Sequence, residues 1–185
     1  MDLASFGKLA MPVQSIEEWR LTLEFLEGYF RNRGVEFPSI VEVGIQSNLQ
    51  KAFYERFLGA RHIGVDCSDK YSKPDVMGDA LSERTLDRAI DMADGDFDMV
   101  FLDAGQHYPE VKGYFDLWGP HAKHVIALHP IFTTEAHPDG SRRLWRELNE
   151  ENHGSEYRFV SFRHVVGSND PCFRYQYGLG LLLKG

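Results

Sequence analysis

Residues 38–48, Pro-Ser-Ile-Val-Glu-Val-Gly-Ile-Gln-Ser-Asn, restrict the fold more than any other part of the chain. Ile40, Val41, Val43 and Ile45 are apolar and β-branched, which suits a short buried strand. Gly44 ends the run, and residues 49–58 continue with helical spacing. The reading is strand, tight turn, helix. A glycine at such a turn lets backbone approach a ligand closely, and the helix N-terminus beyond it can receive an anionic group. Glu42 lies inside the strand, where a carboxylate is costly unless something pairs with it.

The rest of the chain repeats this alternation. Residues 1–14 read as an arm, and Ser15 and Glu18 form a capping box for a first helix. Its stripe of Ile16, Trp19, Leu23, Leu26 and Phe30 would pack on the sheet edge or at the substrate mouth. Strands are predicted over 61–66, 75–79, 97–103 and 125–129, and helices follow from Ser82, through Val111 to Trp118, and over 141–152. Two terminal strands, 157–166 and 177–184, flank a Gly-Ser-Asn-Asp-Pro turn and predict an antiparallel hairpin. Phe173, Tyr175 and Tyr177 alternate there, as buried or interface residues would. Strands alternating with helices imply a parallel sheet, and ligands of such sheets bind at the carboxyl ends of the strands. Asp66, Asp79, Asp103 and His129 each fall at a predicted strand end. One strand-end Asp would be an ordinary turn residue; four in register point to one functional rim. With no internal repeat or linker, residues 1–185 read as a single domain: arm and helix over 1–34, core over 36–184.

The charge balance limits the partners. Net charge is −8, against the grip on phosphates that nucleic-acid binding requires. The one dense basic cluster, Arg142, Arg143 and Arg146, reads as a solvated helix face. No run approaches the roughly 20 apolar residues of a membrane helix, and the N-terminus lacks the pattern of a signal peptide. Two cysteines, Cys67 and Cys172, form no Cys-x-x-Cys, which fits reduced thiols and a cytoplasmic location. A homo-oligomer is compatible with all of this.

Glu42-x-Gly44-x-x-x-Asn48 resembles the first motif of class I S-adenosylmethionine methyltransferases, with Gln46 and Asn48 in place of two glycines. Asn48 can still hold a left-handed turn. Residues 97–112, Phe-Asp-Met-Val-Phe-Leu-Asp-Ala-Gly-Gln-His-Tyr-Pro-Glu-Val-Lys, resemble the fourth motif of the small O-methyltransferase-like group. Trp118, the strand ending at His129, the Leu144-Trp145-Arg-Glu-Leu148 helix and the closing 178–184 strand fit that group as well. The similarity spans about residues 36–184. It implies an α/β fold: a Rossmann-like, seven-stranded, mostly parallel sheet with helices on both faces and an antiparallel last strand. It also implies S-adenosylmethionine as cofactor. Carried over by position, Glu42 and Gly44 would hold the methionine end, with Asn48 also at the cofactor, and Asp66 would hold the ribose hydroxyls. Cys67, Asp79 and Ala80, with Leu81, would surround adenine, and Asp103 would sit beside the transferring methyl group. Two departures matter: Gln106 and Pro130 stand where the group has His and Asp. Hard cations want several oxygens, so no metal ligands are assigned.

Methyl transfer from a sulfonium needs an oriented acceptor and a base with a pKa near neutral. His107 is the first candidate, assisted by Asp103, and His129 the second. His62, His121, His124, His137, His153 and His164 have no motif around them and read as surface or packing residues. Trp118 and Trp145 read as core. The leading function is methyl transfer, by in-line displacement, to a small hydroxylated acceptor. The alternatives are an inactive protein of this fold that binds the cofactor or a protein partner, and a dinucleotide-binding oxidoreductase. The last would want Gly-x-Gly-x-x-Gly after the first strand, and only one of the three is present.

Overall fold

A computed structural model describes residues 16–132, 140–151, 156–162 and 178–185. The elements run α1 (Ile16–Asn32), β1 (Ser39–Val43), α2 (Leu49–Leu58), β2 (Arg61–Asp66), β3 (Val76–Met77), α3 (Glu83–Ala93), β4 (Phe97–Leu102) and α4 (Tyr108–Trp118). A 3₁₀ turn at Gly119–His121 leads into β5 (Ala122–Leu128), then α5 (Gly140–Glu151), β6 (Tyr157–Phe162) and β7 (Leu179–Lys184). The strands form one sheet in the order β3-β2-β1-β4-β5-β7-β6. β1 to β5 pair in parallel, and β7 runs antiparallel to both β5 and β6. This is the α/β sheet expected from the sequence. The strand order reverses between β1 and β4, which opens a crevice at their carboxyl ends.

Strand alternation divides the core between the two faces. Val41, Val43, Ile63, Val65 and Val100 join the cluster that includes Leu86, Val111 and Leu144 from α3, α4 and α5. Ile40, Met99, Phe101, Val125 and Ala127 join Trp19, Leu23, Leu26 and Phe30 of α1 and Phe53 and Tyr54 of α2. Trp19, Leu23, Leu26 and Phe30 therefore lie on one face of the sheet, and Phe25 of the same helix reaches Phe162 of the edge strand β6. Trp19 meets Phe53 and Tyr54 edge-on, with centroids 6.2 and 5.4 Å apart. Burying side chains of this size contributes roughly 1.5–3 kcal/mol each. α1 is released at Gly34, φ +71°, after Val35 donates its N–H to the Phe30 carbonyl.

Several boundaries differ from the sequence reading, among them those of β3, β5 and α5. β3 has two residues where five were expected, because Asp75 turns its carboxylate to the Gly64 N–H, 2.8 Å, and does not join the ladder. β5 begins three residues early, beside an irregular register between Phe97 and Met99. α5 starts at Gly140. The pairing of β6 with β7 is as expected. Its turn, the Phe173–Tyr175–Tyr177 alternation, Cys172, Ser15, the arm over 1–14, His137, His153 and His164 lie outside the described residues. Trp118 is fully buried and donates its indole N–H to the Ala80 carbonyl, 2.8 Å, and Trp145 packs edge-on against Phe159.

Candidate functional site

The carboxyl ends of four strands are tied into one rim. Gly44 donates its N–H to the Val65 carbonyl (2.8 Å), Asp103 to that of Val43 (2.9 Å) and His129 to that of Leu102 (3.2 Å). The ladder thus continues one residue past each strand, fixing the backbone that carries Asp66, Asp103 and His129. Gly44 has φ +92°, and a Cβ there would lie 2.7 Å from both the Asp103 carbonyl oxygen and the Ala104 Cβ. The exits of β1 and β4 can touch only because residue 44 has no side chain.

The turn beyond Gly44 keeps the backbone of a glycine loop without its glycines. Gln46 and Asn48 have φ +43° and +55°, a region costly for residues other than Gly, Asn and Asp. Gln46 is held there from both sides. Its N–H donates to Asp66 Oδ2 at 3.2 Å, and its carbonyl accepts from the Ser72 hydroxyl at 2.7 Å. Asp66 Oδ1 accepts from the Ser68 N–H, 3.0 Å, so the carboxylate is oriented by two backbone donors. Asp79 likewise accepts from the Leu81 N–H, 2.9 Å.

These parts surround a cleft of about 650 Å³. Gly44, Asp66, Cys67, Asp79, Ala80, Asp103 and His129 all line it, and Glu42, Asn48 and His107 do not. Sequence reasoning missed Gln46, Gln50, Tyr71, Tyr114 and Ser141, which also line it. Gln46 could have been found as the residue at a glycine position of the motif; the others carry no local signal. Among the described residues no group of three His, Cys, Asp or Glu side chains is arranged to hold a metal ion.

The two histidine candidates have different fates. His107 is exposed and is the N-cap residue of α4, where its backbone N–H faces the Glu110 carboxylate at 3.4 Å. His129 is 5% exposed, and its Nδ1 lies 2.8 Å from Asp103 Oδ1. Burial pulls the His129 imidazole down, but Asp103, through charge and hydrogen bond, together with Glu18 and Glu42, raises it above its ordinary value. Ser141 fixes the backbone behind it by donating its hydroxyl to the His129 carbonyl, 3.2 Å. The structure thus brings Asp103 and His129 together at the cleft and leaves His107 outside its lining.

Glu42 sits beneath the rim, not in it. Its side chain and that of His62 are both fully buried, with His62 Nε2 2.8 Å from Glu42 Oε2. Burial, then the nearby Asp103, pushes the Glu42 carboxyl well above the usual carboxylate range. Burial, then Lys51, lowers His62 to about 4. His62 is therefore neither a surface residue nor mere packing: it is the partner that a buried acid requires.

No protein-family model matches the chain, and no curated protein does. Its sheet and helices superpose on solved methyltransferases. The methyltransferase MycE of the mycinamycin biosynthetic pathway, in complex with Mg, SAH and mycinamycin VI, matches with a TM-score of 0.59 at 16% identity. The match covers 88% of this chain and 49% of MycE, so the chain spans about half the length of that relative. The fold is a methyltransferase fold. The CurJ carbon methyltransferase matches over 100% of this chain and 58% of its own, at TM-score 0.61 and 10% identity. The Burkholderia thailandensis 1,6-didemethyltoxoflavin-N1-methyltransferase, bound to 1,6-didemethyltoxoflavin and S-adenosylhomocysteine, matches at TM-score 0.54 and 12% identity, over 90% of this chain and 78% of its own. Among the described residues no helix is long and apolar enough to cross a membrane.

Proposed function

We propose that the chain is an S-adenosylmethionine-dependent methyltransferase acting on a small molecule. The observation that carries this reading is the convergence of Gly44, Asp66, Asp79 and the Asp103–His129 pair on one cleft at the switch point of the sheet. The residues fit the cofactor. Asp66 is oriented by two N–H donors and keeps lone pairs for a ribose diol. Ala80 and Cys67 line the cleft beside Asp79, a setting for a purine ring. The bare backbone at Gly44 admits close approach. When bound, the cofactor supplies an electrophilic methyl group.

The chain's own part is positioning and proton removal. Both members of the pair line the cleft; the Asp103 side chain is 20% exposed and that of His129 5%, and the bond between them orients the imidazole. The acceptor's proton goes to this pair. Oxygen as the nucleophile rests on the resemblance of residues 97–112, since the structural relatives include carbon and nitrogen methyltransferases. A second reading, a non-catalytic binder, is favoured by Gln46 and Asn48 in positive-φ positions. Calorimetry with S-adenosylhomocysteine, NAD and ATP tests both. Binding of S-adenosylhomocysteine alone supports the fold-borne function; binding of NAD alone would replace it with the oxidoreductase reading. Turnover on no acceptor despite cofactor binding would favour the second reading.

A further inference from the structure

Glu42 is the acid of the resembling motif, yet the structure surrounds it in a way that a cofactor ligand would not need. Its side chain is fully buried and is not part of the cleft lining, whereas Gly44 and Ile45 are. The residue opposite it on β2 is Gly64, and His62 stands opposite Ile40, one residue pair earlier on the same face. His62 thus reaches Glu42 diagonally across the β1–β2 ladder. Tyr54 of α2 stacks on the His62 ring, centroids 5.6 Å apart and 17° from parallel, and Trp19 of α1 closes over Tyr54. The pair is sealed between the sheet and two helices.

We propose that Glu42 is a positioning residue: bonded to His62, it fastens β1 to β2 beneath the cleft, sets the Gly44 turn and the Asp66 carboxylate above it, and touches no cofactor atom. The connection to the site is continuous. Two residues past Glu42, Gly44 bonds to Val65, and two further on, Gln46 bonds to Asp66. Any slip of β1 against β2 would move both cofactor-facing groups together. This inference rests on the cofactor reading above for its consequence, though not for its geometry.

The charge state follows from the surroundings. Burial, and then Asp103 just past β4, raises Glu42, and His129 just past β5 only partly opposes them. His62 faces Lys51 and Glu55 of α2 and Asp75 before β3, and Lys51 and Asp75 pair with each other at 3.5 Å. A neutral acid donating its O–H to a neutral imidazole is the arrangement with least buried charge. Glutamine reproduces that donor; it does not reproduce a carboxylate.

The test is a set of four variants, Glu42→Gln, Glu42→Ala, His62→Leu and Glu42→Leu with His62→Leu, read by thermal unfolding, calorimetry with S-adenosylhomocysteine and infrared spectroscopy. Glu42→Gln should keep the affinity within about threefold and the melting temperature nearly unchanged, as for a substitution that removes no essential contact. It should also delete a carboxylic-acid C=O band from the wild-type spectrum. Glu42→Ala and His62→Leu should lower melting temperature and affinity together, and the double leucine variant should restore much of both, because an apolar pair leaves no orphaned polar group. A ligand role predicts the reverse. Glu42→Gln would then bind about 10- to 150-fold more weakly with unchanged melting, and the double variant would not recover binding; that result overturns the proposal. If the wild type binds no S-adenosylhomocysteine, the cofactor reading fails. The melting and infrared arms still decide the role of Glu42: no acid band, or an Glu42→Ala variant as stable as wild type, defeats it.

Discussion

Substituting alanine at Gly44 should damage the protein in a way that separates two costs. Gly44 has φ +92°, and an added Cβ would lie 2.7 Å from the Asp103 carbonyl oxygen, 2.7 Å from the Ala104 Cβ and 2.8 Å from the Ala104 Cα. Two of these three atoms are backbone, which cannot swing aside as the end of a flexible side chain can. Left-handed strain costs roughly 1–2 kcal/mol for an L-residue, and overpacking a tight contact costs about 1–3 kcal/mol more. The expected loss is therefore about 2–5 kcal/mol. Gly34 supplies the control. Its φ is +71°, but nothing lies within 4 Å of the position its Cβ would take, so Gly34→Ala should show the strain alone, about 1–2 kcal/mol. Urea unfolding of both variants, with matched m-values, isolates the contact between the exits of β1 and β4. Gly44→Ala should also weaken S-adenosylhomocysteine, because the atoms that must give way carry Asp103. Equal destabilisation of the two variants would refute the close approach between the exits of β1 and β4.

Asp66→Ala should weaken S-adenosylhomocysteine by about 1.5–3 kcal/mol in calorimetry, the scale of hydrogen bonds to a charged group; unchanged affinity would remove Asp66 from the cofactor site. His129→Ala should cut turnover by about 10²–10⁴-fold, and His107→Ala should leave it near wild type. Because His129 is raised above 6.5, the rate should climb with pH through a midpoint above that value, and Asp103→Asn should move the midpoint down. The sign for stability is opposite: a raised imidazole stabilises the fold fully below pH 6.5, and that contribution is lost as pH rises through its folded pKa. His62, lowered to about 4, acts on the acid side. Its neutral form suits the folded state, so its contribution to stability is full above pH 6.5 and is lost as pH falls through about 4. A pH series of urea midpoints on wild type and on His62→Gln should show a shallower acid limb in the variant; identical limbs would mean that His62 does not carry the loss.

What could be read from the sequence follows the range of the forces involved. β1, β2, β4 and β5 were legible because each is a short apolar run, and the rim was legible because the runs of β2, β4 and β5 end in Asp66, Asp103 and His129. β3 was overread for a related reason: an edge strand needs partners on one side only, and Asp75 found a better one in the Gly64 N–H. The stripe on α1 shows that one face is buried, but no periodicity says against what. Only the packed structure puts Trp19 on Tyr54 and in one core cluster with Ile40, Met99 and Phe101 of the sheet.

The histidines mark where sequence reasoning runs out. His107 lies four residues after Asp103 in the chain, but it is the N-cap residue of α4 and stands outside the cleft lining. His129 is 26 residues away and reaches Asp103 because β4 and β5 are parallel neighbours and their ladder continues one residue past both strands. Glu42 and His62 follow the same rule at a separation of 20 residues, joined through the register of β1 with β2. Both acid–imidazole pairs thus come from adjacent parallel strands, one at the rim with a carboxylate open to the cleft and one sealed beneath it. A parallel sheet delivers such pairs where an acid and a histidine fall opposite or diagonal to one another on one face of adjacent strands, and burial then separates the two settings. The rim pair lines the cleft, where the proposed base has to stand, while the sealed pair lines no part of it.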